Sequence, residues 1–270
     1  MKNAEKILEV LERYHGDGEK AVRGESDPCV LYAFSDIREN LLEWYPFARG
    51  AKLLQIGSDA GALTGLFLKK GLKVTVFETD VEEIAVGEKR FAGGMELSYV
   101  KEIADADGRG AFDYVVLVGT IDRASEWFSS LNPYEELVQK AKEYVKPGGC
   151  LFLAAANRMG IRYFCGAARM ERGFTKTELN RMLDAAEDDA EKKGSITWYY
   201  PIPEYRLPTM LYSDSYLPVR GEFSNLSVAY DAPRYQMISE EAALNICCEE
   251  GQFANFTSSY LAVWKKDMSV

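Results

Sequence analysis

The chain has 270 residues, a length that suits one elaborated α/β domain or a domain with a small appendage and disfavours two large independent domains. Its composition, 47% hydrophobic and 27% charged, is that of an ordinary globular protein. Its 42 acidic and 32 basic residues give a formal net charge of −10. This acidity disfavours a function that depends on neutralising the phosphates of a nucleic acid or of an anionic membrane. We therefore expect a small or uncharged acceptor, with neither nucleic acid nor membrane involved.

Targeting and metal-binding signals are both missing from the sequence. No stretch approaches the roughly 20 consecutive apolar residues that span a bilayer, and the first residues lack the apolar core of a signal peptide. The five cysteines form no Cys-x-x-Cys pair, and the one histidine, His15, belongs to a charged N-terminal helix, where we expect it at the surface. The sequence predicts a cytoplasmic protein without a metal site.

Residues 1–50 are predicted to form a helical N-terminal segment, because apolar residues recur at helical spacing over 4–14 and 35–45. From residue 51 onward, apolar runs alternate with helical stretches, which is typical of a parallel, doubly wound sheet. The predicted strands are 52–56, 73–77, 96–100, 114–118 and 150–155, and the predicted helices lie near 62–70, 81–91 and 133–145.

The second half of the chain continues this pattern. The Lys-Pro-Gly-Gly sequence at 146–149 ends a helix, and Thr175 with Glu178 has the spacing of a capping box that begins the next one. Strands are predicted over 196–200 and 258–264. Between them, the Pro- and Tyr-rich stretch 201–218 is predicted to lack a regular element. We expect a main domain over 51–270, with 201–257 as an insertion that forms a lid or a substrate wall.

A small-residue loop between the first predicted strand and the next helix is the main functional signal. Gly57 and Gly61 permit a sharp turn and close approach of a ligand to the backbone, and Glu78 follows the second strand, where it could accept hydrogen bonds from ribose hydroxyls. This pattern predicts a nucleoside-containing cofactor. Asp59 argues against a dinucleotide, because its carboxylate would repel a pyrophosphate.

Five segments together resemble the class I S-adenosylmethionine-dependent methyltransferases, over residues from about 30 to the end. They are 37–47, 54–65, 112–119, 146–149 and 157–166. Within that family, the Tyr-Pro-x-Pro-x-Tyr-x-x-Pro-Thr sequence at 200–209 is similar to a bacterial group associated with glycosyltransferase and surface-polysaccharide genes. The resemblance implies a Rossmann-like sheet of seven strands whose last strand is antiparallel and inserted beside its neighbour.

The same resemblance implies S-adenosyl-L-methionine as the cofactor and a position for each of its parts. The loop holds the methionine part, the acid after the second strand holds the ribose, and residues after the third strand frame the adenine. The implied cofactor-binding residues are Gly57, Ser58, Asp59, Gly61, Glu78, Glu102, Ile103, Asp105 and Gly119. Asn157, Arg158 and Tyr163 follow the fifth strand and are candidate substrate contacts, although packing explains them equally well.

Several positions depart from the family pattern. The family usually has an acidic residue where Gln55 stands and a glycine where Asp59 stands, and this chain has Gly-Thr-Ile-Asp-Arg-Ala at 119–124 in place of Gly-x-x-Glu-Tyr-Ala. It also lacks the family's Glu-Asp-His segment after Gly166, so an obvious general base is missing. We hypothesise that Asp59 faces the cofactor's amino group; the alternative is a solvent-facing aspartate that caps the next helix.

The sequence therefore favours a methyltransferase that acts on a small molecule or glycan precursor, with a carboxylate, a tyrosine or proximity alone replacing the missing histidine. A degenerate, methyltransferase-like binding protein without catalysis is an alternative. An NAD-dependent oxidoreductase is a further alternative, disfavoured by Asp59. The aromatic residues of 198–205 form either a sugar-binding wall or core filling under a long loop.

Overall fold

The computed structural model describes residues 3–94, 96–106, 108–168, 172–184, 194–224 and 237–268. Its helices are α1 (Asn3–Arg13), α2 (Gly18–Gly24), α3 (Pro28–Phe34), α4 (Thr64–Lys69), α5 (Val81–Arg90), α6 (Ala124–Trp127), α7 (Pro133–Tyr144), α8 (Ile161–Phe164), α9 (Lys176–Asp184), α10 (Glu240–Glu249) and α11 (Phe253–Phe256). Short 3₁₀ turns cover Asp36–Leu41, Asp59–Gly61, Ile103–Asp105 and Ile121–Arg123.

The described strands form one sheet in the order β3-β2-β1-β4-β5-β8-β6-β7. They are β1 (Lys52–Ile56), β2 (Lys73–Phe77), β3 (Leu97–Val100), β4 (Phe112–Val118), β5 (Val145–Ala156), β6 (Ser195–Ile202), β7 (Met210–Ser213) and β8 (Ser259–Lys265). Strands β1 to β5 pair in parallel, and β8 lies between β5 and β6, antiparallel to both. The predicted doubly wound sheet with its reversed last strand is confirmed.

Both faces of the central strands are buried, which explains their continuous apolar sequences. Leu54 and Ile56 of β1 pack into one core, which also contains α7 and α9 residues, whereas Leu53 packs into the other core beside α4. Strands β2 and β3 lie on one side of β1, and β4 and β5 lie on its other side, so the strand order reverses at β1. Open α/β sheets bind ligands at such a reversal of strand order, at the carboxyl ends of the strands.

The N-terminal helices lie over this edge of the sheet. Ile7, Val10 and Leu11 of α1 form a small core with Val86 of α5 and with Ala60 of the glycine loop. Asp17 and Asp27 accept backbone hydrogen bonds at the starts of α2 and α3, which satisfies N–H groups that a helix leaves unpaired. The predicted helix over 35–45 is wrong in type, because the structure has the shorter 3₁₀ turn Asp36–Leu41 there.

The prediction of no regular element over 201–218 is wrong. Strand β6 extends to Ile202, and β7 adds an eighth strand that pairs antiparallel with β6 at the sheet edge. The Lys146–Gly149 region also differs, since α7 ends at Tyr144 as predicted but β5 begins at once and accommodates the glycines as an irregularity in its pairing with β4. None of the described helices is both long enough and apolar enough to cross a bilayer.

Candidate functional site

The glycine loop after β1 has an unusual backbone. Gly57 has φ +79°, and a side chain there would lie 2.4 Å from Thr120, so only glycine fits. Asp59 (φ 47°), Ala60 (φ 53°) and Gly61 (φ 71°) also have left-handed backbones. Such conformations cost a non-glycine residue about 1–2 kcal/mol, and they concentrate at functional sites.

The buried side chain of Gln55 and the half-buried side chain of Glu83 hold the loop in this shape. Gln55 donates from Nε2 to the carbonyls of Gly57 and Ser58, at 3.1 and 3.2 Å, and accepts from Thr64 Oγ1 at 2.8 Å. Glu83 of α5 accepts from Ser58 Oγ and from Ala60 N, at 2.7 and 2.6 Å. Burial, with the nearby carboxylates of Asp59 and Glu78, raises the pKa of Glu83. The family's usual acid at position 55 could not donate these two hydrogen bonds when ionised. The structure therefore explains why glutamine stands at this position.

Arg38, from the 3₁₀ turn that precedes β1, is the largest fully buried side chain among the residues that the structure describes and is 1% exposed. Its Nη2 is paired with the half-exposed carboxylate of Asp59, while Nε and Nη1 are buried without a hydrogen-bond partner. The side chain borders a small cavity beside the loop. This cavity is lined by Arg38, Gln55, Gly57, Ser58, Asp59, Leu63, Val116 and Val118.

Glu78, at the end of β2, is completely buried. Oε1 accepts from the backbone N–H groups of Thr79 and Asp80 at 2.9 and 3.1 Å, and Oε2 accepts from the N–H of Ser58 at 3.0 Å. The Ser58 hydroxyl, which donates to Glu83, lies 3.3 Å from the same oxygen. Arg123 donates to both oxygens, at 3.2 and 3.1 Å. Burial opposes ionisation, but these donors outweigh it and hold the pKa of Glu78 below its usual value.

The structure brings Gly57, Ser58, Asp59, Gly61 and Glu78 together at the carboxyl ends of β1 and β2, and their role in cofactor binding stays a prediction. Gly119 ends β4 in the same region and has φ +68°, and a side chain there would lie 2.9 Å from the Tyr205 ring. The predicted adenine residues are less enclosed. Glu102 and Asp105 are exposed, and Ile103 is half-buried, with its carbonyl accepting from Tyr144 OH at 2.7 Å.

The three candidate substrate residues have structural partners. The amide of Asn157 donates to the carbonyls of Asn255 and Thr257, at 2.8 and 2.7 Å. These hydrogen bonds connect the end of β5 to the segment before β8. Arg158 forms an ion pair with Glu178 at the surface, and Tyr163 is half-buried. The packing interpretation is therefore favoured for Asn157, and the substrate role of all three stays a prediction.

The aromatic segment 198–205, which covers the second half of β6 and the turn after it, is mostly interior. Trp198, Tyr200 and Tyr205 are 4%, 0% and 5% exposed, so their rings fill the core rather than face a ligand. The structure favours core filling over a sugar-binding wall at these positions. The Tyr205 ring nevertheless lies next to Gly119 and therefore borders the carboxyl end of β4.

Sequence reasoning missed Arg38, Glu83 and Arg123 as site residues. Arg38 lies within the 37–47 segment that carried part of the family resemblance, and Arg123 lies within the departure at 119–124. The structural role of this departure becomes visible only in the pairing of Arg123 with Glu78, which is 45 residues earlier. Glu83 had no signal beyond its position in the first turn of a predicted helix.

No protein-family model matches this chain. The ubiquinone biosynthesis O-methyltransferase of Cronobacter sakazakii is 29% identical over 147 residues, which are 53% of this chain and 55% of that protein. The chain thus spans just over half the length of that relative. Among solved structures, a SAM-dependent methyltransferase from Archaeoglobus fulgidus aligns with a TM-score of 0.52 and 13% identity, over 85% of this chain and 92% of that one.

A second structural neighbour is the 1,6-didemethyltoxoflavin-N1-methyltransferase of Burkholderia thailandensis, which contains 1,6-didemethyltoxoflavin and S-adenosylhomocysteine. It aligns with a TM-score of 0.50 and 15% identity, over 96% of this chain and 90% of that one. These similarities and the strand order show that the chain has the class I S-adenosylmethionine-dependent methyltransferase fold.

Proposed function

We propose that the chain is an S-adenosylmethionine-dependent methyltransferase that acts on a small molecule. The observation that carries this proposal is Arg38, whose Nε and Nη1 groups are buried at the glycine loop without partners. An unsatisfied buried donor costs about 1–3 kcal/mol, and more when the group is charged. A ligand carboxylate can accept two parallel hydrogen bonds from a guanidinium, which makes it the ligand group that fits best.

The donor and acceptor groups of the loop fit an amino-acid ligand rather than a pyrophosphate. Two backbone N–H groups, those of Ser58 and Ala60, are already bonded to Glu78 and Glu83, so they do not offer a phosphate a cradle. Asp59, Glu78 and Glu83 also place three carboxylates around the loop. These groups suit a cationic amino group and oppose a phosphate, which argues against an NAD-dependent oxidoreductase.

S-Adenosylmethionine supplies an electrophilic methyl group on its sulfonium. In our assignment Arg38 binds its carboxylate and Glu78 its ribose, and Asp59 remains the predicted partner of its amino group. Gly57, Ser58 and Gly61 form the loop around the methionine part, and Gly119 borders it. Glu102, Ile103 and Asp105 stay as predicted neighbours of the adenine.

Asp122 is our candidate for the group that accepts a proton from the methyl acceptor. It follows the carboxyl end of β4, where it is exposed to solvent, and partial desolvation by the surrounding protein together with the nearby Asp59 raises its pKa, which makes its carboxylate a better base. Tyr205 borders the same edge, but burial raises its pKa so far that it stays protonated at neutral pH. In this proposal a carboxylate takes the place of the family's histidine as the base. His15 does not take that place, since it is exposed near the end of α1.

A binding protein without catalysis is the second candidate. Its support is Glu78, whose oxygens are engaged by protein donors, and the absence of histidine from the site. The acceptor class rests on relatives whose names give small-molecule substrates, and the saccharide acceptor and cytoplasmic location stay predictions from sequence.

Methyl transfer tests this proposal directly. The protein is incubated with methyl-labelled S-adenosylmethionine and a panel of phenols, amines and saccharide precursors, and labelled products are counted. We expect transfer to at least one acceptor, with a rate that falls at acid pH as Asp122 is protonated, and a loss of at least about 100-fold in Asp122→Asn. Binding of the cofactor without transfer to any acceptor would favour the binding-protein alternative.

A further inference from the structure

The nucleoside subsite expected at Glu78 is closed by the protein itself. A carboxylate has about four lone-pair positions, and Glu78 already accepts five hydrogen bonds within 3.2 Å. Three come from the backbone N–H groups of Ser58, Thr79 and Asp80, and the other two come from Arg123. A ribose diol needs two acceptor positions on this carboxylate. The two Arg123 contacts are the pair that a small side-chain movement can release, because the others involve the turn and the loop themselves.

The residue after Glu78 is covered by the same turn of chain. Trp127, four positions after Arg123, donates from Nε1 to Thr79 Oγ1 at 3.1 Å, and its ring lies 5.2 Å from that of Phe77. The Arg123 guanidinium lies 5.0 Å from the Trp127 ring, which couples the two side chains. Residues 121–127, which we call the latch, therefore cover two successive residues at the end of β2.

We infer that the latch is an autoinhibitory element that opens when the cofactor's nucleoside binds, an inference that rests on the proposed function. The ribose hydroxyls replace the Arg123 N–H groups on Glu78, and the adenine displaces the Trp127 indole from Thr79. The latch thus lowers the apparent affinity for any ligand that carries this nucleoside, because only the open fraction of the protein binds it.

The surroundings of Arg123 allow such an exchange. Its side chain is 25% exposed, whereas Glu78 is inaccessible, so the arginine can leave and the glutamate cannot. Glu126, 56% exposed, already accepts from Arg123 Nε at 3.0 Å and remains a partner for the displaced guanidinium in water. Glu78 in turn exchanges a charged donor for two hydroxyl donors, which keeps its buried oxygens satisfied.

Calorimetric titration with S-adenosylhomocysteine tests the latch. Arg123→Gln removes the bidentate pair, and we expect its dissociation constant to fall about tenfold, as for a latch that is closed about nine-tenths of the time. Thr79→Val removes only the acceptor for Trp127, and we expect a smaller gain of about two- to threefold. This second variant keeps Arg123 and Glu78 and so protects the test against a folding defect. Arg220→Gln, which breaks an exposed pair with Glu249, is the matched control and should leave the dissociation constant unchanged.

The outcomes separate the latch from the proposed function. Tighter binding in Arg123→Gln and Thr79→Val, abolished when Glu78→Gln is added, supports the latch. Equal or weaker binding in both variants, with a wild type that binds, overturns the latch and leaves the proposed function standing. Failure of the wild type and every variant to bind S-adenosylhomocysteine contradicts the proposed function, and the latch with it.

Discussion

Individual residues of the glycine loop store strain that the surrounding contacts hold in place. Asp59 and Ala60 keep left-handed backbones although neither is glycine. Arg38 pairs with the Asp59 carboxylate, and Ala60 is held by Glu83 at its N–H and by Arg90 at its carbonyl. The family's usual glycine at position 59 would avoid this cost. The aspartate instead neutralises a buried guanidinium, and this compensation explains how the departure is tolerated.

Gly57 is the position where the loop has least freedom. We expect Gly57→Ala to lower the free energy of unfolding by about 2–4 kcal/mol, because it combines a positive φ with a 2.4 Å approach to Thr120. Gly50→Ala is the matched control, since Gly50 has nearly the same φ of +77° and open space around it, and it should cost about 1 kcal/mol. Denaturant unfolding measures both, and equal losses would show that the Thr120 contact relaxes at no cost.

At the scale of elements, local signals decided which segments became helices. The start of α9 is a reciprocal cap, in which Thr175 N donates to Glu178 Oε2 at 2.8 Å and Glu178 N donates to Thr175 Oγ1 at 3.2 Å. This capping box was predicted from the two residue types and their spacing alone. Arg158 adds an ion pair to the same glutamate, which places the end of β5 against the start of α9.

The cap gives a prediction for one helix. We expect Thr175→Ala to lower the free energy of unfolding by about 1 kcal/mol, because it leaves an N–H group at the start of α9 without its partner. Thr177→Ala, at an exposed position in the same turn, should change stability by less than about 0.5 kcal/mol. Thermal unfolding compares the two. If both variants lose the same amount, the cap does not stabilise α9 beyond ordinary helix propensity.

Elements fixed by distant contacts were harder to predict. The 3₁₀ turn Asp36–Leu41 has the apolar spacing of a helix, but Asn40 bonds the carbonyl of Pro208 and Leu41 is wholly buried, so tertiary contacts select the tighter turn. Strand β7 was missed because its flanking prolines and tyrosines resemble a loop. The hydrogen bonds of this strand come from its pairing with β6, which the local sequence does not indicate.

For the whole molecule, the alternation of strands and helices predicted the sheet, since buried parallel strands carry nearly continuous apolar runs. The glycine loop and Glu78 were also predictable, because the turn and the strand end impose their residue types locally. Arg38 and Arg123 were not, since their roles depend on meeting Asp59 and Glu78 across 21 and 45 residues of chain. The sequence predicted the glycine loop and Glu78 as one site, and the structure added the two arginines that pair with its carboxylates.

If the pocket binds the amino-acid end of S-adenosylmethionine through Arg38, removal of the guanidinium must weaken binding, and calorimetric titration measures that change. Wild-type protein and Arg38→Gln are titrated with S-adenosylhomocysteine, and NAD serves as the control ligand. We predict that the wild type binds S-adenosylhomocysteine and not NAD, and that Arg38→Gln binds it at least about 30-fold more weakly, as expected when a charged hydrogen-bond partner is lost. Equal affinity in the two proteins, or binding of NAD alone, would contradict the account.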